Sequence, residues 1–322
     1  MNILITGGAG YIGSTLTPML LAQGHYVRVL DALLFGGHSL LGVWGDPAFE
    51  FQRGDVRDNT AVRTALDGMD AVVHLAAIVG DPACSRRPEL ARETNLNASL
   101  SLLDECRRRR VGALVFASTC SNYGRMGNGA SFVDEQSPLA PVSLYAETKV
   151  LFEQALLDLS ADEFICATPL RFATVYGVSP RMRFDLTVNE FTRDMILQGR
   201  LTIFGEQFWR PYIHVRDAAR AIMMVLSSDP AKVRRQVFNV GCSDQNFQKR
   251  QIAEMVRERV GCGTVEYVHR NEDPRDYRVN FEKISTQLGF RTTRHVEFGI
   301  REVADLIRSQ VMPSLDDPTL RN

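Results

Sequence analysis

Between Thr6 and Ser14 the chain reads Gly7-Gly8-Ala9-Gly10-Tyr11-Ile12-Gly13. Glycines 7, 10 and 13 recur at three-residue intervals. Before them lies an apolar run, Asn2–Thr6; after them, residues 11–23 carry apolar side chains at helical spacing. A glycine cluster alone is a weak signal, because turns are rich in glycine. Set between a strand and a helix it means more. Bare backbone can approach a pyrophosphate, and the helix end presents free N–H groups and a positive dipole. A chain that opens this way is expected to wind βαβ units around a parallel sheet and to bind a dinucleotide, with Tyr11 and Ile12 part of the same turn.

The alternation continues. Strand patterns fall at Tyr26–Asp31, Phe49–Arg53, 71–75, 113–116 and 164–171, with helical patterns at 59–66 and 90–110 between them. Several strands are too apolar to be half exposed, which suits a sheet covered on both faces. The rhythm breaks after residue 171. Residues 176–214 mix turns, short strands and a helix at 188–198, and further helices are expected at 215–226, 248–259, 281–288 and 297–308, with a strand at 236–240. The expected class is α/β: a Rossmann-type doubly wound parallel sheet with a smaller mixed C-terminal substrate lobe. Residues 1–172 and 213–241 would form the dinucleotide domain, and 173–212 and 242–322 the lobe.

Composition excludes several functions. Hydrophobic residues make up 45% and charged residues 23% of 322, with a net charge of −1, so nothing argues for nucleic acid or an anionic membrane as partner. The basic run at 107–110 reads as a helix end, where cations meet the negative dipole. No apolar stretch approaches the ~20 residues that span a bilayer. The opening MNILITGG has no basic region or cleavage site, so no secretory leader is expected. The cysteines at 84, 106, 120, 166, 242 and 262 show no CxxC and no histidine at ligand spacing. Neither disulfides nor a metal site is expected, and the location expected is the cytoplasm.

Asp31 ends the second strand. A carboxylate there accepts from an adenosine ribose and repels a 2′-phosphate, which favours NAD over NADP; Arg28, inside the strand, is poorly placed to receive that phosphate. Asp55, in GDVRD, reads either as a contact to the adenine edge or as a helix cap. The small Leu75-Ala76-Ala77 stretch would let a cofactor lie against backbone. Val56, Asn95 and Phe172 complete the candidate cofactor contacts.

Tyr145 and Lys149 stand at i and i+4, on one helix face. A free phenol titrates near ~10 and is a poor base at neutral pH. A neighbouring ammonium and a cationic nicotinamide would both favour its phenolate. Thr119 would hydrogen-bond the reacting oxygen. The bland alternative for Tyr-x-x-x-Lys is a solvated helix face.

Together these residues resemble the extended short-chain dehydrogenase/reductases, in particular the NAD-dependent nucleotide-sugar epimerase/dehydratase group. The resemblance rests on TGGAGYIG at 6–13, Asp31, GDVRD at 54–58, HLAA at 74–77, STCSNYG at 118–124, YAETK at 145–149, LRFATVYG at 170–177 and RPYIHVRD at 210–217. It implies an enzyme with NAD as cofactor and a nucleotide-diphosphate sugar as substrate, assembled as a homodimer through two long helices. It makes Thr119, Tyr145 and Lys149 catalytic and matches Arg210 to a ligand of the substrate diphosphate. Many members carry an asparagine at the place of Thr174. In DPRDYR, Arg275 and Arg278 are alternative diphosphate ligands. Cys84, Cys120, Ser121, Asn122 and Asn189 are further candidate substrate contacts.

The stretch STCSNYG narrows the chemistry. The 4,6-dehydratases of the family carry Asp-Glu directly after the catalytic threonine; Cys120 and Ser121 stand there in this chain and cannot replace a carboxylate pair. Some 3,5-epimerases carry a cysteine two residues before the tyrosine of YG, where this chain has Ser121. The expectation is an epimerase that oxidises C4 transiently, with Tyr145 taking the hydroxyl proton. The alternative is a 4-oxidoreductase that releases the 4-keto sugar: the N-terminal segment and VGDPACSRRP resemble GDP-heptose 4-dehydrogenases. In that loop Asp81, Cys84 and Ser85 either face the sugar or lie on the surface. A non-catalytic NAD-binding sensor is a third possibility, against which the Tyr–Lys pair argues.

Overall fold

The computed structural model describes residues 1–125, 132–261, 263–268, 275–312 and 314–322. Cys262, and Asp273 and Pro274 of DPRDYR, lie outside them. In chain order the elements of the first part are β1 (Asn2–Thr6), α1 (Gly13–Ala22), β2 (Tyr26–Asp31), β3 (Phe49–Arg53), α2 (Asn59–Ala65), β4 (Ala71–His74), α3 (Asp81–Arg86), α4 (Pro88–Arg92), α5 (Ala98–Arg108), β5 (Ala113–Thr119), α6 (Leu144–Leu157) and β6 (Cys166–Phe172). Then come β7 (Thr174–Tyr176), α7 (Thr187–Gln198), β8 (Arg200–Phe204), β9 (Trp209–His214), α8 (Val215–Ser227), α9 (Pro230–Val233), β10 (Phe238–Val240), β11 (Asn246–Gln248), α10 (Lys249–Val260), β12 (Thr264–Val268), α11 (Glu282–Leu288) and α12 (Val296–Arg308).

Seven parallel strands form the main sheet in the order β10-β6-β5-β4-β1-β2-β3. Successive side chains of a strand point to opposite faces, and both faces are covered. Ile3 and Ile5 pack with Leu16 and Leu20 of α1 and Ile222 of α8. Leu4 joins the other side, with Leu102 of α5 and Phe152 and Leu156 of α6. Each fully buried Ile or Leu stabilises the fold by about 1.5–3 kcal/mol. The chain starts mid-sheet, runs outward through β2 and β3, and crosses back to β4. The connections after β1 and β4 therefore diverge and open a crevice at the carboxyl ends of the strands.

Two expectations change. The strand expected to stop at Phe116 continues to Thr119, because β6 extends past the end of β4 and pairs with it: Ala117, Ser118 and Thr119 lie opposite Leu170, Arg171 and Phe172. Ladder pairing overrides the polarity of Ser118 and Thr119 and delivers them to the crevice. The helix expected over 90–110 is present and continuous from Pro88 to Arg108, but it is not regular: α4 and α5 are two parts of it on either side of one wide π-helical turn, Glu93–Asn97. On that turn the buried Asn95 accepts from Ile78 N (2.8 Å) and donates to Ile78 O (3.0 Å).

The remaining strands make a three-stranded sheet, β11-β9-β7, and a parallel pair, β12-β8. Around them α7, α10 and α12 pack through Val188, Met195, Ile252, Val256 and Ile300. Among the described residues no helix is long and apolar enough to cross a membrane, and no group of His, Cys, Asp and Glu is arranged to hold a metal ion.

Candidate active site

The glycine turn is held by the protein's own backbone. Gly7 has φ +74°, and a Cβ there would fall 2.7 Å from Ala76 N; one on Gly13 would fall 2.5 Å from Gly8 Cα. Gly7 N donates to Leu30 O (2.9 Å) and Gly10 N to Gly7 O (3.1 Å), and α1 begins three residues later. The turn floors one end of a cleft of about 650 Å³. Gly7, Gly10, Tyr11, Ile12, Gly13, Asp31, Asp55 and Val56 line that end; Leu75, Ala76 and Ala77 line the middle; Thr119, Ser121, Tyr145, Lys149, Phe172, Thr174 and Arg275 line the other.

The Asp31 carboxylate is fixed by two amides, Ala9 N (3.0 Å) and Leu33 N (2.8 Å), and burial pushes its pKa up. Each oxygen keeps a lone pair for a ribose. Arg28 points elsewhere: it pairs with Glu50 at 2.7 Å and donates to Ala65 O and Asp67 O. Asp55 is forked by Arg57 (3.0 and 2.6 Å), which lowers its pKa. The cap of α2 is Asp58, which accepts from Thr60 N, so the helix-cap reading does not apply to Asp55.

At the other end Ser143 caps α6 through Ala146 N and donates to Asp81 (2.7 Å). Tyr145 lies in the first turn. One turn on, Lys149 Nζ donates to Ala117 O (2.8 Å), 4.6 Å from the Phe116 ring centroid and 5.8 Å from that of Tyr145. Burial lowers the Lys149 pKa to about 7 and pushes the Tyr145 phenol well up. The polypeptide alone therefore does not stabilise a Tyr145 phenolate. Desolvation dominates, the cation that acts on the phenol is Arg183, and Lys149 is only partly charged near neutrality. Thr119 Oγ1 accepts from Ser121 N (3.1 Å), which leaves its O–H to donate.

Seven candidates stand behind the cleft wall rather than on it. Asn95 props Ile78. Cys84 is fully buried and donates to Ile78 O (3.3 Å). Cys120, 1% exposed, donates to Arg171 O (3.2 Å), and burial raises its pKa far above the usual thiol range. Asn122 donates to Ser118 and Glu153. Asn189 bridges Gly177 N, Arg183 O and the Tyr11 hydroxyl. Arg210 donates to Trp209 O and Arg275 O and lies over the Tyr277 ring. Arg278 lies between the rings of Phe132 and Trp209, each 5.1 Å away. Of the two DPRDYR arginines it is Arg275 that reaches the cleft, paired with Asp81 at 3.1 Å. Asp81 thus faces the start of α6, while Ser85 is exposed.

Residues not anticipated also stand here. Tyr277 lines the cleft with its hydroxyl 3.3 Å from Ser121 Oγ, and Arg181 and Arg183 line it from the β7–α7 connection. Beneath it Glu153 and Arg171 form a buried ion pair. Glu153 could have been found, because it continues the four-residue spacing of Tyr145 and Lys149.

NAD fits these residues: the turn admits no side chain at Gly7 or Gly13, Asp31 presents free lone pairs to a ribose, and Lys149 and Tyr145 face the far end of the same cleft. Comparison with known proteins agrees. Residues 3–241 match the NAD dependent epimerase/dehydratase family. A UDP-glucose 4-epimerase from Corynebacterium glutamicum is 30% identical over 315 residues, which cover 92% of each chain. A dTDP-glucose 4,6-dehydratase from Streptomyces niveus is 30% identical over 321 residues, 96% of this chain and 93% of its own. The crystal structure of the Thermus thermophilus UDP-glucose 4-epimerase in complex with NAD shares the fold with a TM-score of 0.83 and 30% identity, over 97% of this chain and all (100%) of the other. A likeness that runs nearly the whole length of the chain is more than a shared fold: this chain belongs to the NAD dependent epimerase/dehydratase family, as an extended short-chain dehydrogenase/reductase that uses NAD in nucleotide-sugar chemistry.

Proposed function

We propose that the enzyme is a nucleotide-sugar 4-epimerase. The observation that carries this reading is the fate of the two residues after Thr119. The Cys120 thiol is turned into the protein onto Arg171 O, and Ser121 alone faces the cleft. A buried thiol with a raised pKa and a serine cannot serve as the acid and base of an elimination or of proton exchange at C3 or C5. What the cleft offers is redox at one carbinol. Tyr145 takes the proton of the C4 hydroxyl and later returns it. Thr119 donates to the C4 oxygen as charge develops there. Lys149, held by Ala117 O, would hold the nicotinamide ribose. Arg275 holds the substrate diphosphate by exchanging its partner Asp81 for phosphate oxygens. When bound, NAD supplies a two-electron acceptor for C4 that can give the electrons back. Residues 1–172 and 213–241 would carry the cofactor, and 173–212 and 242–322 the nucleotide sugar.

Incubation with UDP-, dTDP-, GDP- and CDP-sugars, followed by chromatography, tests the reading. One of them is expected to give its 4-epimer without net NADH. Release of a 4-keto sugar with accumulating NADH would instead assign a 4-dehydrogenase, of the kind the GDP-heptose resemblance suggests.

Cofactor choice follows from Asp31. Asp31→Ala removes a ribose acceptor and the charge facing a 2′-phosphate. NAD is expected to bind about tenfold more weakly, the worth of one charged hydrogen bond, and discrimination against NADP to relax. Equal NAD and NADP affinities in the unmodified protein would sink this assignment.

We also infer a homodimer in which α5 and α6 of each protomer pair. Leu100 on α5 and Leu151 on α6 are 37% and 44% exposed and would be covered by such a pairing. Light scattering at micromolar concentration is expected to give twice the chain mass, and the mass of one chain would contradict the pairing. The free thiols among the described residues suit a reducing cytoplasm, where we place the enzyme.

A further inference from the structure

The cleft wall beside the first turn of α1 is completed by the loop of residues 179–185, whose two arginines have different surroundings. Arg183 is forked onto Asp185, with Nε to Oδ1 at 2.9 Å and Nη2 to Oδ2 at 2.7 Å. Its charge is matched. Arg181 is only 6% exposed, yet among the described residues no carboxylate lies within ion-pair distance of it. Its Nη2 donates to Arg321 O (3.2 Å) and Asn322 Oδ1 (2.8 Å). Its guanidinium lies over the Phe35 ring, 4.1 Å from the centroid. Its backbone N–H donates to Ser14 Oγ (3.3 Å) in the first turn of α1. Its Nε is buried and has no partner among the described residues.

The nearby carboxylates are engaged elsewhere. Asp31 accepts from Ala9 and Leu33, and Asp185 from Arg183. Burial and the neighbouring Arg183 pull the Arg181 pKa down to about 10, the mark of a cation short of counter-charge. A buried ion without a partner is destabilising, and an anionic ligand would offset that cost. The start of α1 favours an anion at the same place through its dipole and free amides.

We propose that Arg181 is the side-chain ligand of a diphosphate, donating through Nε, and that the diphosphate is the cofactor's rather than the nucleotide sugar's. Place decides between the two sources. Arg181 stacks on Phe35, just beyond Asp31, and touches α1 through Ser14. The reacting end of the cleft, with Tyr145, Ser121 and Arg275, lies opposite. Asn322 and Arg321 hold the guanidinium through Nη2 and leave Nε without a protein acceptor among the described residues.

Calorimetric titration of the full chain with NAD, ADP-ribose, adenosine and UDP tests the proposal without any turnover, so its outcome is independent of the 4-epimerase reading. Arg181→Met keeps an unbranched stem over Phe35 and removes the charge. NAD and ADP-ribose are expected to bind about 10- to 100-fold more weakly, as for a lost charged hydrogen bond. Adenosine and UDP should be unchanged, and added salt should weaken ADP-ribose binding less than in the unmodified protein. Unchanged ADP-ribose affinity overturns the proposal, and a loss confined to UDP gives the arginine to the nucleotide sugar and overturns it too. If the Met variant does not melt cooperatively, Arg181→Lys, which keeps the charge but lacks Nε, is read the same way. A weakening of ADP-ribose with adenosine unchanged supports the proposal, and no change contradicts it.

Discussion

Tyr145→Phe is expected to lower turnover about 10²- to 10⁴-fold, the usual worth of a positioned acid–base group, while the protein keeps its NAD. The substitution removes one oxygen and keeps the ring against α6. The glycine turn, Asp31 and Lys149 are untouched, so cofactor content measured after denaturation should match that of the unmodified enzyme. The phenol's raised pKa explains why the loss should be large rather than partial. Burial favours the neutral phenol, and a cationic cofactor in the cleft would favour its phenolate. The Thr119 hydroxyl, the other group assigned to the C4 oxygen, donates and does not replace the lost acceptor. Retention of more than a tenth of the activity would reassign the base.

Glu153→Leu is expected to destabilise the fold by about 3–5 kcal/mol, the range for breaking one side of a buried ion pair. Glu153 and Arg171 have side chains 1% and 4% exposed. The carboxylate accepts from Arg171, Ser118 (2.7 Å) and Asn122 (3.3 Å), and Arg171 passes on to the Tyr123 hydroxyl (2.8 Å), which donates to Asn239 (2.7 Å). The network ties α6 to β5 and β6 one turn beyond Lys149 and one residue before Thr119. Loss of Glu153 strands a guanidinium in the core. The double variant Glu153→Leu/Arg171→Met removes both charges and should recover most of the loss, because an apolar pair carries no such penalty. Urea denaturation measures both. A cost below about 1 kcal/mol for the single variant would mean that the pair is solvated or replaceable.

The parts of this molecule that were legible in its sequence are those where one physical demand dominates. Fully covered parallel strands must be apolar, so Asn2–Thr6 and Tyr26–Asp31 stand out. A turn packed 2.7 Å from neighbouring backbone admits only glycine at position 7. Tyr145 and Lys149 share a face by helical geometry alone. What escaped depends on partners distant in the chain. Ser118 and Thr119 are polar, and only the extension of β6 shows that they belong to a strand. The pair β8 and β12 is joined across some sixty residues (Thr264 opposite Arg200), and both strands are largely exposed, so neither carries the apolar run of a covered strand. Cys120 and Ser121 are neighbours whose sequence does not say which one turns inward. Arginine is a surface residue by default, so nothing in SPRMRF marked Arg181 as buried.

The most direct test of the 4-epimerase assignment is to run the reaction in heavy water. Once a substrate has been found in the nucleotide-sugar panel, the 4-epimer formed in D₂O is analysed for carbon-bound deuterium. Tyr145 exchanges its proton with solvent, but that proton travels only between oxygen atoms, and the hydrogen on C4 leaves and returns without meeting water. The expected product has no deuterium on any carbon. Deuterium at C3 or C5 would show proton exchange at a second carbon, for which the buried Cys120 and the lone Ser121 supply no acid–base pair, and would contradict the 4-epimerase assignment.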